Sequence, residues 1–544
     1  MKTIILFLIS LSFTTNVNAQ FIEQWTQSYN GSGNFNDAAT SVAIDDAKNV
    51  YVTGYSYGIG TLNDYVTVKY NTNGIQQWVS RYNGPGNDND IVKAIAVFNN
   101  EIYVTGQSAG SGTAYDYATI KYNSSGVQQW IARYNGPSNS NDGSTGITTD
   151  ALGNVYVTGE SYGGTSTSYD FATIKYNSSG IQQWEARYNG TGNGNDGANA
   201  ITVDQYSNVY VTGYSVGAGS SLDYTTIKYN SSGVQQWIAK YNGSANDIDI
   251  SKCVTLSSSG QVIITGYSRG SGTSLDFVTI NYDSLGAELW VSRYNGAANG
   301  GDIPNAVVLN NSGDIIVTGV TNTDVSGILA NYATIKYNAA GQIQWIGIYN
   351  GPGNNNDSAT SIAVDDSGNV FVTGKSIGSG TSFDFATIKY SPAGVPQYVA
   401  RFNNSESSKD VANSIKVDEY GNTYITGGSS LSGSSDDFMT IKYSKISGIN
   451  IISNIIPQRF ELFQNYPNPF NPVTNINYSL SFRTFTNIKV YDIRGIEVAE
   501  LVNEFQNAGT YSVNWNAENL ESGIYFYTLE TDKFKDTKKM VLLK

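Results

Sequence analysis

Short apolar runs separated by glycine-rich turns recur along most of the chain, and none repeats with the period of a helix. The stretch SIAVD (361–365) is rich in β-branched residues and suits a strand buried on both faces. Three further patterns belong to each unit: NVYVTG at 49–54, DYATIKY at 116–122 and VQQWIARY at 127–134. Aromatic and β-branched residues favour strands there. The pattern therefore predicts four short strands per unit.

The unit recurs with a regular period. The glycine that ends the second pattern lies at Gly54, Gly106, Gly159, Gly213, Gly266, Gly319, Gly374 and Gly427. Eight units of four antiparallel strands, each of roughly fifty residues, are typical of β-propeller blades. We therefore predict an all-β protein in which residues 20–443 form an eight-bladed β-propeller of four-stranded antiparallel blades.

The repeated motifs also resemble a known family. The sequences SIAVD, GNVYVTG and ATIKYN are similar to the bacterial β-propeller repeat family called SBBP, over roughly residues 21–443. The resemblance implies a propeller. The family name implies seven blades, whereas the copies counted here predict eight.

The aromatic residue of the fourth pattern is out of step at the two ends of the array. It occurs at Trp25, Trp78, Trp130, Trp184, Trp237, Trp290, Trp345 and Tyr398. The eighth TIKY motif (440–443) has no aromatic partner after it, whereas Trp25 precedes the first unit. We predict that residues 22–29 supply the outer strand of the last blade and close the ring. The alternative is that residues 449–453 do so. The recurrent tryptophan is interpreted as packing between blades.

Composition limits the possible partners and chemistry. The 544 residues include 31 Lys and Arg, 45 Asp and Glu and no His, which gives a formal net charge of −14. We expect no nucleic-acid partner, because neutralising phosphates needs clustered basic residues. Without histidine there is no Ser-His-Asp triad and no imidazole metal site. Cys253 is interpreted as a buried small residue rather than a reactive thiol. We predict no catalytic residues and no cofactor, with Ca²⁺ as the one possible ion.

Strand order places two loops of each unit on the same rim. These are the loop before the first strand, as in YNGPGNDND (82–90), and the loop between the second and third strands, as in YSYGIGTLND (55–64). We call this the loop-rich rim. One carboxylate series precedes the first strands: Asp37, Asp90, Asp142, Asp196, Asp249, Asp302, Asp357 and Asp410. A second precedes the third strands: Asp64, Asp116, Asp170, Asp223, Asp276, Asp384 and Asp437, with Asn331 in the sixth unit.

Two interpretations of these carboxylates stay open. Each Asp side chain can accept backbone N–H bonds and fix its turn. Alternatively, the first series forms an oxygen-rich ring that binds Ca²⁺, although no stretch completes the D-x-[DN]-x-[DN]-G motif. A basic residue follows the aromatic by three positions in six units, at Arg81, Arg133, Arg187, Lys240, Arg293 and Arg401. Because these lie on outermost strands, one per blade, we expect surface or ion-pair roles rather than a convergent cluster.

The two ends of the chain carry targeting patterns. Residues 1–19 combine Lys2, an apolar run and a Val17-x-Ala19 cleavage pattern, which predicts a secretory signal peptide. No other stretch reaches the eighteen or so apolar residues that span a bilayer, so we predict no transmembrane segment. Residues 444–458 are interpreted as a linker. Residues 459–544 hold about seven short strand patterns and fit a small immunoglobulin-like β-sandwich.

The C-terminal segment resembles the type A C-terminal sorting domain of the type IX secretion system of Gram-negative bacteria. The motifs that carry the resemblance are YPNPFNP (466–472), VYDIRGIEV (490–498), GIYFY (523–527) and KMVLLK (539–544). The resemblance implies passage through the periplasm, then recognition by the type IX machinery at the outer membrane. It also implies that the domain is commonly cleaved, which leaves the protein secreted or on the cell surface.

Two functions remain open at this point. The first is a non-enzymatic secreted scaffold for adhesion or for binding an extracellular protein or glycan. The second is a Ca²⁺-dependent lectin or a glycan-active enzyme that uses the acidic rim, since paired carboxylates can hydrolyse glycosides without histidine. The near-identity of the repeats favours the first, because a catalytic site makes one or two blades unlike the others.

Overall fold

The computed structural model describes residues 21–324, 329–404, 408–430, 435–445, 449–453, 457–482, 484–506, 508–518 and 520–544. Every regular element there is a β-strand, so the predicted all-β class is confirmed. No helix in the described residues is long and apolar enough to cross a membrane. The chain divides into two compact units, one of residues Trp25–Tyr443 and one that contains Ser444–Lys544. The expected signal peptide, residues 1–19, lies outside the described residues.

The first unit consists of eight four-stranded antiparallel sheets. The chain enters through β1 (Phe21–Tyr29). Blades 1 and 2 contain β2 (Asp37–Ile44), β3 (Val50–Gly58), β4 (Leu62–Tyr70), β5 (Gln76–Tyr82), β6 (Asp90–Phe98), β7 (Glu101–Ala109), β8 (Tyr115–Tyr122) and β9 (Gln128–Tyr134). Blades 3 and 4 contain β10 (Asp142–Thr149), β11 (Val155–Gly164), β12 (Ser168–Tyr176), β13 (Gln182–Tyr188), β14 (Gly197–Val203), β15 (Val209–Val216), β16 (Leu222–Tyr229) and β17 (Gln235–Tyr241).

The remaining blades repeat this order. Blades 5 and 6 contain β18 (Asp249–Leu256), β19 (Val262–Arg269), β20 (Leu275–Tyr282), β21 (Glu288–Tyr294), β22 (Asp302–Leu309), β23 (Ile315–Asn322), β24 (Ala330–Tyr337) and β25 (Ile343–Tyr349). Blades 7 and 8 contain β26 (Asp357–Val364), β27 (Val370–Ile377), β28 (Phe383–Tyr390), β29 (Pro396–Phe402), β30 (Asp410–Val417), β31 (Thr423–Ser430) and β32 (Asp436–Lys445). First strands of neighbouring blades lie side by side, including β30 beside β2, so they surround a central channel.

The eighth blade takes its outer strand from the other end of the chain. Its sheet order is β1-β32-β31-β30. The ring of Tyr29 packs edge-on against that of Phe438, with centroids 5.4 Å apart. On the inner side, Asn413 Nδ2 donates to the carbonyl oxygen of Ala39 in blade 1 at 2.8 Å. The alternative strand, Ile449–Ser453, pairs instead with the second unit.

The hydrophobic core of the propeller lies between blades rather than within them. Tyr51 and Tyr65 of blade 1 pack with Val92, Ile102 and Ile120 of blade 2 in one buried cluster, and equivalent clusters recur around the ring. Burial of each such aliphatic side chain contributes roughly 1.5–3 kcal/mol. A single blade therefore cannot bury its own core, which explains why repetition and closure are needed together.

A β-bulge in every first strand adds polar contacts to the inner wall. In blade 1 the register shifts between Ala39 and Ser41. The bulged residues are Thr40, Lys93, Thr145, Asn199, Lys252, Asn305, Thr360 and Asn413. Most bond to the following blade, as when Asn199 Nδ2 donates to the Ser251 carbonyl at 2.8 Å.

Cys253 Sγ donates to the Asn305 carbonyl at 3.2 Å, and burial raises the pKa of its thiol to about 11. The side chain is half-buried rather than fully buried as expected, and its hydrogen bond fits the structural role predicted for Cys253.

The second unit consists of two four-stranded antiparallel sheets with an apolar core, as expected for an immunoglobulin-like sandwich. Its strands are β33 (Ile449–Ser453), β34 (Glu461–Leu462), β35 (Val473–Leu480), β36 (Thr484–Tyr491), β37 (Glu497–Gln506), β38 (Gly509–Asn516), β39 (Gly523–Thr531) and β40 (Lys535–Leu542). The segment 444–458, interpreted above as a linker, contains β33. Its apolar, β-branched sequence INIIS forms a ladder with β38, in which Ile449 is opposite Val513.

Candidate functional site

The first Asp series lies where each inner strand begins at the loop-rich rim, and every member is buried. In blade 1, Asp37 Oδ2 accepts the N–H of Gly31 at 2.5 Å and Oδ1 accepts the N–H of Tyr57 at 3.0 Å. The same pair of bonds forms in blade 2, where Asp90 joins Gly84 and Ala109. A carboxylate that makes both bonds ties the loop before the first strand to the end of the second strand, whereas Asp249 of blade 5 makes only the first of them, to the Gly243 N–H.

Burial raises the pKa of each of these eight carboxyl groups, and the hydrogen bonds partly offset that effect. The pKa of Asp196 is raised to about 6, chiefly by burial, against the lowering effect of the Gly190 and Val216 N–H bonds. These hydrogen bonds support the interpretation that the first Asp series fixes the turns at the rim. No group of three Asp, Glu or Cys side chains in the described part of the chain could hold a metal ion. Ca²⁺ binding by this series stays a prediction.

Five members of the second Asp series are each clamped by an arginine of the same blade. Arg133 of β9 donates to Asp116 Oδ2 at 2.8 Å, to Ser108 Oγ at 2.6 Å and to the Ser108 carbonyl at 2.9 Å. It also donates to Tyr82 Oη of the preceding blade at 2.9 Å. The corresponding ion pairs are Arg81–Asp64, Arg187–Asp170, Arg293–Asp276 and Arg401–Asp384, at 2.6–2.7 Å. The expected ion-pair role of these basic residues is confirmed at five positions.

Blade 6 loses both members of this pair together. Asn331 replaces the aspartate, and Ile348 lies opposite Ala333, as Arg133 lies opposite Ala118 in blade 2. A buried carboxylate without its arginine would be strongly destabilising, whereas a neutral amide tolerates the loss. The joint replacement fits a coupled pair, although the coupling is not obligatory, since the buried Asp223 and Asp437 remain in blades 4 and 8, where Lys240 and Ser28 stand at the arginine position.

The recurrent tryptophan packs on the third-to-fourth turn of the next blade. The ring of Trp78 covers Gly126, where an added Cβ would lie 2.6 Å from the indole. Its Nε1 donates to the Ser124 carbonyl at 3.0 Å. Trp25 of β1 makes the same bond to Thr72 of blade 1 at 3.1 Å, across the point where the ring closes. The predicted packing between blades is confirmed, although only Trp25 is buried and the others are half-buried.

One position near the rim varies from blade to blade. In each second strand it directly follows the glycine that ends the NVYVTG pattern. It immediately precedes the Ser or Thr that is opposite the Asp of the first series, which we call the ring aspartate. We call these the channel-mouth residues: Tyr55, Gln107, Glu160, Tyr214, Tyr267, Val320, Lys375 and Gly428. They are opposite the second residue of each inner strand, as Tyr55 is opposite Ala38. Sequence reasoning missed them because it treated the copies as uniform, although aligning the TG-x-S motif displays the variation.

The C-terminal motifs hold the end of the chain in place. Phe470 of the YPNPFNP motif is buried, and its ring centroid lies 5.5 Å from that of Trp515. The Phe470 N–H donates to the Val541 carbonyl and its carbonyl accepts the Leu543 N–H, both at 3.0 Å. The motif residues and the terminal KMVLLK segment thus form one packed structure.

Comparison with protein families identifies this second unit. Residues 464–543 match the model of the secretion system C-terminal sorting domain. The chain carries a type IX sorting domain. That domain directs export to the cell surface or the extracellular space. Residues 344–380 match the SBBP β-propeller repeat, which confirms the propeller family expected for the body.

More distant similarities were found among solved structures, whereas no curated protein matches the chain. PorZ, a surface component of the type IX secretion system of Porphyromonas gingivalis, is 16% identical with a TM-score of 0.41; the match covers 92% of this chain and 65% of that chain. A fungal alcohol oxidase of the AA5 family is 12% identical, with a TM-score of 0.40 and coverage of 97% and 100%. The propeller domain of the Trilobed protease from Pyrococcus furiosus is 7% identical, with a TM-score of 0.38 and coverage of 65% and 95%.

Proposed function

We propose that this protein is an exported, non-enzymatic β-propeller that binds an extracellular protein or glycan at the loop-rich rim. The signal peptide at 1–19 would take it to the periplasm, and the sorting domain would deliver it to the type IX machinery. The propeller would then act outside the cell as a rigid scaffold for adhesion or binding.

The observation that carries this proposal is the contrast between the rim carboxylates and the channel-mouth residues. Both Asp series bond to their own chain, so the acidic rim is part of the framework. The channel-mouth residues differ in size, charge and aromatic character while the surrounding motif stays the same. Framework packing does not demand that variation, whereas recognition of an asymmetric partner does.

A Ca²⁺-dependent lectin or a glycan-active enzyme is the second candidate. It would use the ring of Asp37 and its equivalents as cation ligands or acid–base groups. Burial raises the pKa of these groups, which is also a property of catalytic carboxyls. Against it, backbone N–H donors already point at the carboxylate oxygens that a cation would need.

Thermal melts and a binding screen separate the two candidates. The full chain is melted in EDTA and in added Ca²⁺, then applied to a glycan array and to purified extracellular matrix proteins. The scaffold proposal expects melts that agree within about 2 °C and binding that survives EDTA. A melting temperature that rises with Ca²⁺ concentration would support the lectin, because a ligand of the folded state stabilises by mass action. Retention of the protein in the periplasm of its host would contradict the export route.

A further inference from the structure

Blades 3 and 4 differ from the others at a second position beside the channel mouth. The residue after the ring aspartate is glycine in both, at Gly143 and Gly197. In the other blades it is Ala38, Ile91, Ile250, Ile303, Ser358 or Val411. Two side chains are therefore missing from the inner wall in adjacent blades, beside the channel-mouth residues of blades 2, 3 and 4.

The missing side chain at Gly197 lets Tyr214 lie across its strand. A Cβ at Gly197 would be 2.8 Å from Tyr214 Oη and 2.9 Å from Cζ, so no other residue fits beneath the ring as it stands. The tyrosine hydroxyl then lies close enough to Glu160 of the preceding blade for each group to shift the pKa of the other. Burial raises the pKa of Glu160, although the Lys93 charge and the Tyr214 hydroxyl act to lower it. The pKa of Tyr214 is raised to about 12, chiefly by burial.

Blade 2 contributes two more polar groups to the same place. Lys93 occupies the bulge position, where Asn199 and its equivalents bond to the following blade. Lys93 is exposed and makes no hydrogen bond or close ion pair with a described residue, but its charge acts on Glu160. A Cβ at Gly143 would be 3.3 Å from Gln107 Oε1, so this glycine leaves the amide accessible.

Two aromatic side chains lie beside Glu160. Tyr162 lies two residues further along β11, on the same face of the strand, and is opposite Tyr169 of β12. Their rings pack edge-to-face with centroids 5.3 Å apart, and both are partly exposed. Blade 3 is the one blade with aromatic residues at both of these positions.

We propose that this recess is a glycan-binding subsite, in which Glu160, Lys93 and Gln107 bond sugar hydroxyl groups while Tyr162 contacts a pyranose face. The inference rests on the proposed function and assigns that function a ligand class and a place. Tyr214 acts as a positioning residue that orients the Glu160 carboxylate.

The chemistry of the recess favours a saccharide over other ligands. A carboxylate accepts hydroxyl protons, an amide both donates and accepts, and an ammonium donates, so the set complements a polyol at short spacing. Tyrosine offers an apolar ring face with a polar end, which suits the C–H and O–H groups of a pyranose. A phosphate or sulfate would be repelled by Glu160. The recess also presents no exposed strand edge to a peptide, since Glu160 and Tyr214 lie on second strands that are paired on both sides.

The test uses the full chain on an array of neutral, uronate-containing and sulfated glycans, followed by titration of the best binder. Glu160→Gln and Tyr162→Ala are compared with Glu419→Gln, which removes a carboxylate of a surface ion pair to Lys48 on the opposite rim. We expect each recess variant to weaken binding at least about tenfold. The control should bind like the unchanged chain, and melting temperatures should stay within about 2 °C.

Tyr214→Phe tests whether Glu160 binds the ligand or only helps to join blades 3 and 4. If Glu160 serves the ligand, this variant keeps its fold and binds more weakly, with a changed pH dependence of affinity. Glycan binding that Glu160→Gln leaves within twofold would overturn the subsite but not the proposed function. Binding to sulfated glycans alone, or to protein alone, would overturn the ligand class. Failure to bind any glycan or protein would overturn the proposed function as well.

Discussion

The outer part of each blade and the channel mouth of the same propeller follow opposite patterns. In the outer part, a tryptophan covers a turn glycine of the next blade at seven positions, and the Asp–Arg clamp recurs in five blades. The buried aspartate at the start of the inner strand recurs in all eight blades. At the channel mouth, residues in equivalent backbone positions include Tyr55, Glu160, Val320 and Lys375. Both regions belong to the same blades, whose first and second strands pair in the same register in blades 1 and 3.

The difference separates two kinds of constraint. A residue that must fit its neighbour in every blade is repeated, because each blade interface poses the same packing problem. Where the backbone repeats and the side chains do not, folding tolerates many residues. Repeated polar residues are therefore better read as framework, and divergent ones as candidates for binding. By this criterion the first Asp series belongs to the framework, and the channel-mouth residues are the candidates for binding.

The largest effect on stability is expected from removing only the arginine of one Asp–Arg clamp. Arg133→Ile should destabilise the propeller by about 3–5 kcal/mol, because it leaves the buried Asp116 carboxylate without its partner. Adding Asp116→Asn to the same variant reproduces the arrangement of blade 6 and should recover most of the loss. Urea denaturation of the single and double variants measures both. Equal stability of the two would show that the clamp is not a coupled unit.

The next effect concerns the closing strand. Trp25→Ala should cost about 3 kcal/mol, because Trp25 is buried and joins the last blade to the first. Trp237→Ala, in the middle of the ring, removes a half-buried indole with the same kind of bond, to Ser284, and should cost less, about 2 kcal/mol. Limited proteolysis at β1 should become faster in the first variant alone. A larger cost at Trp237 would contradict a special role for closure.

A smaller effect is expected from pH. Folding raises the pKa of Asp196 from its usual 3.8 to about 6, so the folded state binds a proton more readily than the unfolded chain. Its contribution therefore favours the folded state increasingly as pH falls from about 7 to 4, and this one group could add on the order of 1–3 kcal/mol. Melting temperatures measured across this range should rise and then level. The rise should flatten in Asp196→Asn, and a steady fall below pH 7 would contradict the assignment.

The sequence was sufficient for most of the framework because the period, the turn glycines and the aromatic positions are local signals repeated eight times. Ring closure could also be predicted from the sequence, because Trp25 precedes the first unit. The clamp was seen only as two separate series, because pairing of β8 with β9 is what brings Arg133 to Asp116. The recess around Glu160 was not predicted at all. It depends on Tyr214 of blade 4 lying near Glu160 of blade 3, a pairing that no single repeat contains.

The smallest effect should come from exchanging channel-mouth residues between blades. Tyr267→Val introduces the residue that blade 6 carries at this position, and it should change stability by less than about 1 kcal/mol, because folding imposes no common side chain there. The matched variant Tyr224→Val removes a fully buried ring from the repeated framework and should cost about 3 kcal/mol. Both can be measured by urea denaturation of the full chain. If Tyr267→Val cost as much as Tyr224→Val, the channel mouth would be framework too, and its variation would no longer point to a ligand.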